Sequence, residues 1–206
     1  MKDISSSIKK FWKGVGEMGK TLNEMFASII GLNEGATGNI AYEFHHAKGG
    51  TSGWSFGKVQ WDVKNNSGAR LILSKIGFNP DEIQGIVDES VDPRQWNSRL
   101  LAGKVTIDAA DVTQLSYCLN KGLNFAVDHG IPVENPSGIL ALADAENQYG
   151  NLGAGTAQFD TALGHPVTAA DVLAWRLQTK YGRECPDDCK RRIQNVMGVV
   201  NEQETT

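Results

Sequence analysis

Glu43-Phe-His-His-Ala-Lys-Gly-Gly-Thr-Ser-Gly-Trp-Ser-Phe-Gly-Lys-Val-Gln-Trp-Asp62 places a carboxylate at each end of a glycine-rich segment. Leading into it, Asn39-Ile-Ala-Tyr-Glu-Phe-His-His46 is predicted to form a short helix with Glu43 in its last part. The run Lys48-Gly-Gly-Thr-Ser-Gly53 must then turn, because glycine, serine and threonine together interrupt any regular period. From Trp54 to Trp61 bulky side chains alternate with small or polar ones, the period of a strand, over a length suited to a hairpin arm. Gly49, Gly50, Gly53 and Gly57 fit tight turns and close backbone approach.

Outward from this segment the chain reads as helical. Asn79-Pro80 and Asp92-Pro93 each set a capping side chain before a proline at the first helical position. Residues 108–129 carry Leu115, Cys118, Leu119, Leu123 and Val127 on one face, and residues 137–149 form a further helix closed by Gly150. Thr168-Ala-Ala-Asp171 has capping-box spacing and opens a helix expected to run to Tyr181 and stop at Gly182. The predicted fold class is therefore mainly α (α+β), with one small β-hairpin and several helices.

Residues 1–35 differ from the rest. Ile8, Phe11, Trp12, Val15, Met18, Leu22, Met25, Phe26, Ile29 and Ile30 recur at helical intervals, and lysines outnumber acids there although the whole chain is acidic. The expected organisation is an N-terminal amphipathic helical segment, 1–35, followed by one domain, 36–206. That segment reads as a helix packed on the domain, a helix docking onto a partner, or a membrane contact. It has no continuous apolar core of a cleavable signal peptide, and no run reaches the roughly 20 apolar residues that span a bilayer.

With 20 basic and 24 acidic side chains among 206 residues, the net charge of −4 provides no positive field for nucleic acid. The 3 cysteines are too few for a four-cysteine zinc site; Cys185 and Cys189 can pair in an oxidising compartment, leaving Cys118 over. His45 and His46 are adjacent and lack the spacing of paired metal ligands, so a histidine beside Glu43 tunes its charge or donates to substrate. No metal or cofactor is expected.

A pair of carboxylates is what glycosidic cleavage requires: one protonates the leaving oxygen while the other activates water or stabilises the cationic sugar. Glu43 follows apolar Ile40-Ala-Tyr42 and precedes Phe44, so partial desolvation suits it to the acid role, whereas Asp62 lies beside Lys64, Asn65 and Asn66 and stays ionised. Trp54, Trp61 and Tyr149 serve either to stack on sugars or to fill the core, and Asn147 and Gln148 either bind acetamido and hydroxyl groups or cap a helix.

Glu43 followed by Ser55-Phe-Gly-Lys-Val-Gln-Trp-Asp62 resembles the glutamate helix and glycine-bearing hairpin of lysozyme-superfamily muramidases. The strand is similar to that of goose-type lysozymes, and Gly50-Thr-Ser-Gly-Trp-Ser-Phe-Gly57 to phage endolysins and secreted bacterial lysozyme effectors, with chitosanases more distant. The likeness covers about residues 39–78 and, more loosely, 137–151, where Asp144-Ala-Glu-Asn-Gln-Tyr-Gly150 resembles the helix end on the far side of the sugar cleft. It implies a lysozyme-like fold around a substrate cleft, with Glu43 as general acid and Asp62 as the aspartate after the strand glutamine. Gln60 would face the substrate, and Thr51, Ser52 and Ser55 would supply hydroxyls near the attacking water. The loop after Glu43 is shorter than in goose-type enzymes and lacks their loop aspartate, which leaves Asp62 open as base or as a supporting residue.

The resemblance further implies a muramidase that cleaves peptidoglycan glycan strands between N-acetylmuramic acid and N-acetylglucosamine. Its relatives in reaction would be a lytic transglycosylase or a chitosanase, and a non-catalytic wall-binding or assembly protein is the reading from another class. A monomer acting on the bacterial cell wall in the periplasm is expected, released through a holin or delivered by a secretion system. Residues 1–35 would then meet a delivery partner, an immunity protein or a membrane.

Overall fold

The computed structural model describes residues 21–46, 51–150, 152, 159 and 163–204. The amphipathic pattern over residues 1–20 and the turn at 48–50 lie outside the described residues. In chain order the elements are α1 (Leu22–Glu34), a 3-10 helix (Gly38–Tyr42), β1 (His45–His46), β2 (Trp54–Phe56), β3 (Trp61–Asp62), α2 (Ser67–Lys75) and α3 (Pro80–Val87). A second 3-10 helix (Pro93–Trp96), α4 (Asn97–Ala102), α5 (Lys104–Asp128), α6 (Pro136–Tyr149), α7 (Ala169–Gln178), α8 (Lys180–Glu184) and α9 (Pro186–Glu204) follow. The protein is mainly α with a small antiparallel sheet, the expected class. Among the described residues no helix is long and apolar enough to cross a membrane.

Local chemistry explains the helix starts. Asn79 accepts from the Glu82 N–H while Glu82 accepts from the Asn79 N–H, and Thr168 and Asp171 do the same for α7. Thr21 and Glu24 form the equivalent exchange ahead of α1. Gly150 ends α6 in the left-handed region at φ +70°, where a side chain would be strained.

Three predicted boundaries move. The helix expected through His46 stops as a 3-10 turn at Tyr42, because Glu43 is already extended (φ −121°, ψ 151°) and His45–His46 pair as a strand. That strand makes the sheet three-stranded, in the order β1-β2-β3, where a two-stranded hairpin was expected. The alternating run 54–61 is broken by a turn at 57–60, with Gly57 and Gln60 at φ +77° and +55°. Finally, the helix expected to run from Thr168 to Tyr181 breaks at Thr179, whose hydroxyl accepts from Gly182 N–H and starts α8.

The chain divides into two compact units, residues 30–114 and residues up to 29 together with 115–206. α1 ends at Glu34, followed by Gly35 at φ +65°, and the units divide within α1 and within α5. On α1, Leu22, Met25, Phe26, Ile29 and Ile30 are all buried.

In the sheet-bearing unit, 30–114, the core is aromatic. Phe44 meets Phe56 and Phe78 edge-on at 5.8 and 6.1 Å, and Phe78 meets Trp96 at 5.7 Å. The Arg99 guanidinium sits 4.4 Å above Phe78 and pairs with Glu82 at 2.8 Å, closing the cluster with a cation over a ring.

The helical unit is organised around α6, whose residues from Ser137 to Glu146 are all buried. Glycines allow the close approach: a Cβ on Gly138 would fall 2.0 Å from the Val167 carbonyl oxygen, and one on Gly122 of α5 would fall 2.9 Å from Ala143 N. Helices α7 and α9 pack on α6 and bring two arginines to its one buried aspartate. Arg176, fully buried, donates to Asp144 at 2.7 Å and to Gln148 at 2.7 Å, and Arg192 donates to Asp144 at 3.0 Å. Arg192 also reaches Asp188, which accepts from the Tyr181 hydroxyl, so four charged groups and two polar ones neutralise one another inside the unit.

Candidate functional site

The sheet sorts its side chains by chemistry. In an antiparallel pair, residues directly opposite point to the same face, and the register sets His45 opposite Ser55 and Ser55 opposite Asp62. Extended backbone from Glu43 continues the alternation, so Glu43 falls on the side of His45, Ser55 and Asp62. The other face carries Phe44, His46, Trp54, Phe56 and Trp61, most of which feed the aromatic core. One face is polar and the other apolar.

Glu43 is anchored through its neighbours, and its carboxylate meets no partner among the described residues. Its N–H donates to the Ile40 carbonyl at 3.2 Å, and the following residue is held by the Phe44 N–H donating to Asn97 Oδ1 at 3.0 Å with its ring in the core. The Glu43 side chain is exposed, where burial beside Tyr42 and Phe44 was expected; those two rings turn inward and the carboxylate turns out. His45 donates from Nε2 to the Ile40 carbonyl at 3.0 Å, which fixes the ring back over the 3-10 turn.

Asp62 is the reverse case: its carboxylate is fully engaged. Oδ1 accepts from Lys64 N–H (3.0 Å), Asn65 N–H (3.2 Å) and Gly53 N–H (3.4 Å), and Oδ2 from the Asn65 amide (2.8 Å). Partial burial raises its pKa, but these bonds and one from the Ser52 hydroxyl outweigh that and hold it below the ordinary aspartate value. Asp62 therefore stays ionised, as expected from its polar surroundings, and it fastens the Ser52-Gly53 loop to β3. Thr51 and Ser52 are exposed, and the Thr51 carbonyl accepts from the Asn65 amide at 2.9 Å.

Other expected contacts are distributed differently. Ser55 lies on the polar face between His45 and Asp62 and is buried. Gln60, expected to face substrate, turns its amide onto the Gly57 carbonyl at 3.1 Å within the turn. Trp54 sits on the opposite face from Glu43, its ring taken by His46 edge-on at 4.9 Å and by the Arg94 guanidinium at 5.5 Å. Asn147, Gln148 and Tyr149 belong to the helical unit. There Gln148 is taken by Arg176, Tyr149 packs edge-on against Trp175 and Tyr181 at 6.0 and 6.1 Å, and Asn147 Oδ1 faces the Cys118 thiol at 3.9 Å. The three cysteines are free thiols, Cys118 and Cys189 buried; Cys189 N–H bonds the Cys185 carbonyl as part of a helical turn.

Asp111 is the site residue that the sequence reading passes over. It is 2% exposed, accepts from Lys58 N–H at 3.0 Å and Trp61 Nε1–H at 2.8 Å, and so pins the turn between β2 and β3. Burial raises its pKa above the ordinary aspartate value despite those bonds. A Cβ on Gly57 would come within 2.7 Å of Trp61 and 3.0 Å of Asp111 Oδ1, so glycine is required there twice over, by φ and by space. The available signal is its position: Ile107 and Leu115, four residues either side, are buried apolar residues, and an aspartate in an apolar stripe needs a donor.

A further clasp lies behind the loop. Glu89, at φ +57°, accepts from Lys64 at 2.7 Å and pairs with His46 at 2.9 Å, and a Cβ on Gly53 would press on Lys64 and Glu89 at 3.1 and 3.4 Å. Among the described residues no group of three or more His, Cys, Asp or Glu is arranged to hold a metal ion. No family model, curated protein or solved structure matches the chain.

Proposed function

We propose that the protein is a peptidoglycan-degrading glycoside hydrolase with a lysozyme-like fold. It is a muramidase acting on the β-1,4 bond between N-acetylmuramic acid and N-acetylglucosamine, with Glu43 as general acid. The observation that carries the reading is the polar face of the sheet, which gathers Glu43, His45, Ser55 and Asp62 beside an anchored hydroxyl-bearing loop. Among the described residues the Glu43 carboxylate has no hydrogen-bond or ion-pair partner, so it is available to a glycosidic oxygen, and the flanking backbone bonds limit its drift. Asp62, already accepting from several donors, is a weak base; it holds Ser52 and Gly53 while Asn65 holds Thr51, and the hydroxyls of that loop position the attacking water.

Glu43→Gln is expected to keep the melting temperature and to lower the clearing of peptidoglycan sacculi, read by turbidity, by at least about 10²-fold, the scale of a catalytic proton transfer. Substantial residual lysis removes Glu43 from the mechanism. Asp62→Asn is expected to cost less than about tenfold, and a loss of 10² or more returns it to the role of base.

The engagement of Asp62 also favours a second reading, a lytic transglycosylase, in which one acid/base suffices and the muramyl hydroxyl displaces the leaving group. Mass spectrometry of the released fragments separates the two: reducing ends are expected from the hydrolase, and exclusively 1,6-anhydro ends would replace it by the transglycosylase.

A further inference from the structure

The N-terminal part of α5 grips both branches of the candidate site through two carboxylates one helical turn apart. Asp108 accepts from the Tyr42 hydroxyl at 2.6 Å, and Tyr42, 3% exposed, immediately precedes Glu43. Asp111 holds the other branch by Lys58 N–H and Trp61 Nε1–H, and Trp61 immediately precedes Asp62. A backbone bond joins the branches directly, Gly57 N–H donating to the Ala41 carbonyl at 2.8 Å. All of these residues belong to the sheet-bearing unit.

The bond between Tyr42 and Asp108 has a fixed polarity. Burial foremost, and then the Asp108 carboxylate, pushes the Tyr42 hydroxyl up, so it keeps its proton and donates. Burial raises Asp108 as well, but the bonds from Lys104 and Tyr42 outweigh it and hold that carboxylate below the ordinary aspartate value. Lys104 donates to Asp108 Oδ2 at 2.6 Å and to the Tyr42 oxygen, and its ammonium lies 4.5 Å from the centre of the Tyr42 ring. The phenol is thus held at its oxygen and on its ring face. Phenylalanine would fill the same space in the core; the hydroxyl adds a directional tie to α5. That tie matters for the next residue, because the Glu43 carboxylate meets no partner among the described residues and only the chain around it can set its direction.

We propose that Tyr42 and Asp108 are positioning residues for Glu43: their bond fixes the Glu43 backbone against the helix that also holds the hairpin, and so sets the spacing between the acid and the face bearing Ser55 and Asp62. The inference rests on the reading of Glu43 as general acid. Tyr42 is buried, so its effect reaches a substrate through Glu43.

Steady-state kinetics on solubilised peptidoglycan glycan strands test the proposal. Tyr42→Phe and Asp108→Ala are each expected to lower kcat about tenfold with KM changed by less than about twofold, the scale of one lost hydrogen bond felt at the reacting geometry. The double variant is expected to lose no more than either single one, since both remove the same bond. Asp108→Asn keeps an acceptor for the Tyr42 hydroxyl and is expected to recover most of the kcat lost in Asp108→Ala. Unchanged kcat in Tyr42→Phe, additive losses in the double variant, or a rise in KM alone overturns the proposal; if Asp108→Ala fails to fold, Tyr42→Phe and Asp108→Asn carry the test. Amide hydrogen exchange gives a readout that needs no substrate: the Glu43 and Phe44 N–H groups are expected to exchange about tenfold faster in Tyr42→Phe than in wild type. If wild type leaves the glycan intact, the reading of Glu43 as acid falls; faster exchange then still upholds the hold of Asp108 on the Glu43 backbone, and unchanged exchange overturns it.

Discussion

Asp111 and Asp62 sit on the same turn system with opposite proton affinities. Burial lifts the Asp111 value above 3.8, so its folded form holds a proton more readily than the unfolded chain does. Stability is then lost as pH rises from 3.8 through the folded value. At Asp62, burial is outweighed by the donors around it and the folded value falls below 3.8, so its contribution is complete above 3.8 and is lost as pH falls through the folded value. Urea unfolding between about pH 2 and 7 is expected to separate them: wild type weakens relative to Asp111→Asn as pH rises, and relative to Asp62→Asn as pH falls. Asp111→Ala leaves Lys58 N–H and Trp61 Nε1–H without an acceptor and is expected to cost about 3 kcal/mol in the same measurement, two lost buried partners at roughly 1–3 kcal/mol each.

Among the elements, glycines in helices make the sharpest contrast. Gly138→Ala on α6 would drive a methyl to 2.0 Å from the Val167 carbonyl oxygen, which is backbone and cannot swing away. A loss of about 3 kcal/mol or more is expected, exceeding the roughly 1 kcal/mol that alanine adds to helix propensity. Gly198→Ala on α9 meets nothing within 4 Å and is expected to stabilise by about 0.5–1 kcal/mol. Thermal or urea denaturation of the two variants checks both signs. The starts and ends of these helices were legible, because Asn79, Thr168 and Gly150 act on residues within a turn of themselves. The break at Thr179 was not, since threonine in mid-run reads as a neutral helix residue until its hydroxyl is seen on Gly182. The turn at 57–60 was hidden for a different reason: alternation of bulky and polar side chains persists through it, while the positive φ of Gln60 leaves no mark in composition.

Across the whole molecule, what sequence conceals is pairing over distance. Glu43, Asp62 and the hydroxyl loop lie within 20 residues of one another and could be read as a group, but Asp111 meets its donors 50 and 53 residues away. Arg176 and Arg192 reach Asp144 across 32 and 48 residues. Arg176 also explains why Gln148, which reads as an amide available to a sugar, is already occupied. Asp144→Ala would leave fully buried Arg176 without its counter-charge and is expected to cost about 3–5 kcal/mol by equilibrium unfolding, the price of an uncompensated buried ion.

That network also sets a clock on synthesis. The hydrogen bonds that pin the hairpin need nothing beyond Asp111, whereas Asp144 receives the second of its two arginines only after Arg192 has been added. At about 5–20 residues per second, the ribosome takes roughly 4–16 s to travel between the end of the first unit at residue 114 and Arg192. Between the emergence of α6 and that of Arg192 the nascent chain carries the first unit and an incomplete helical unit in which apolar α6 lacks its contact with α9. Chains stalled with residue 185 just clear of the ribosome are expected to yield a protected fragment from the first unit alone under limited proteolysis, and chains with Arg192 and the rest of α9 clear of it to protect both.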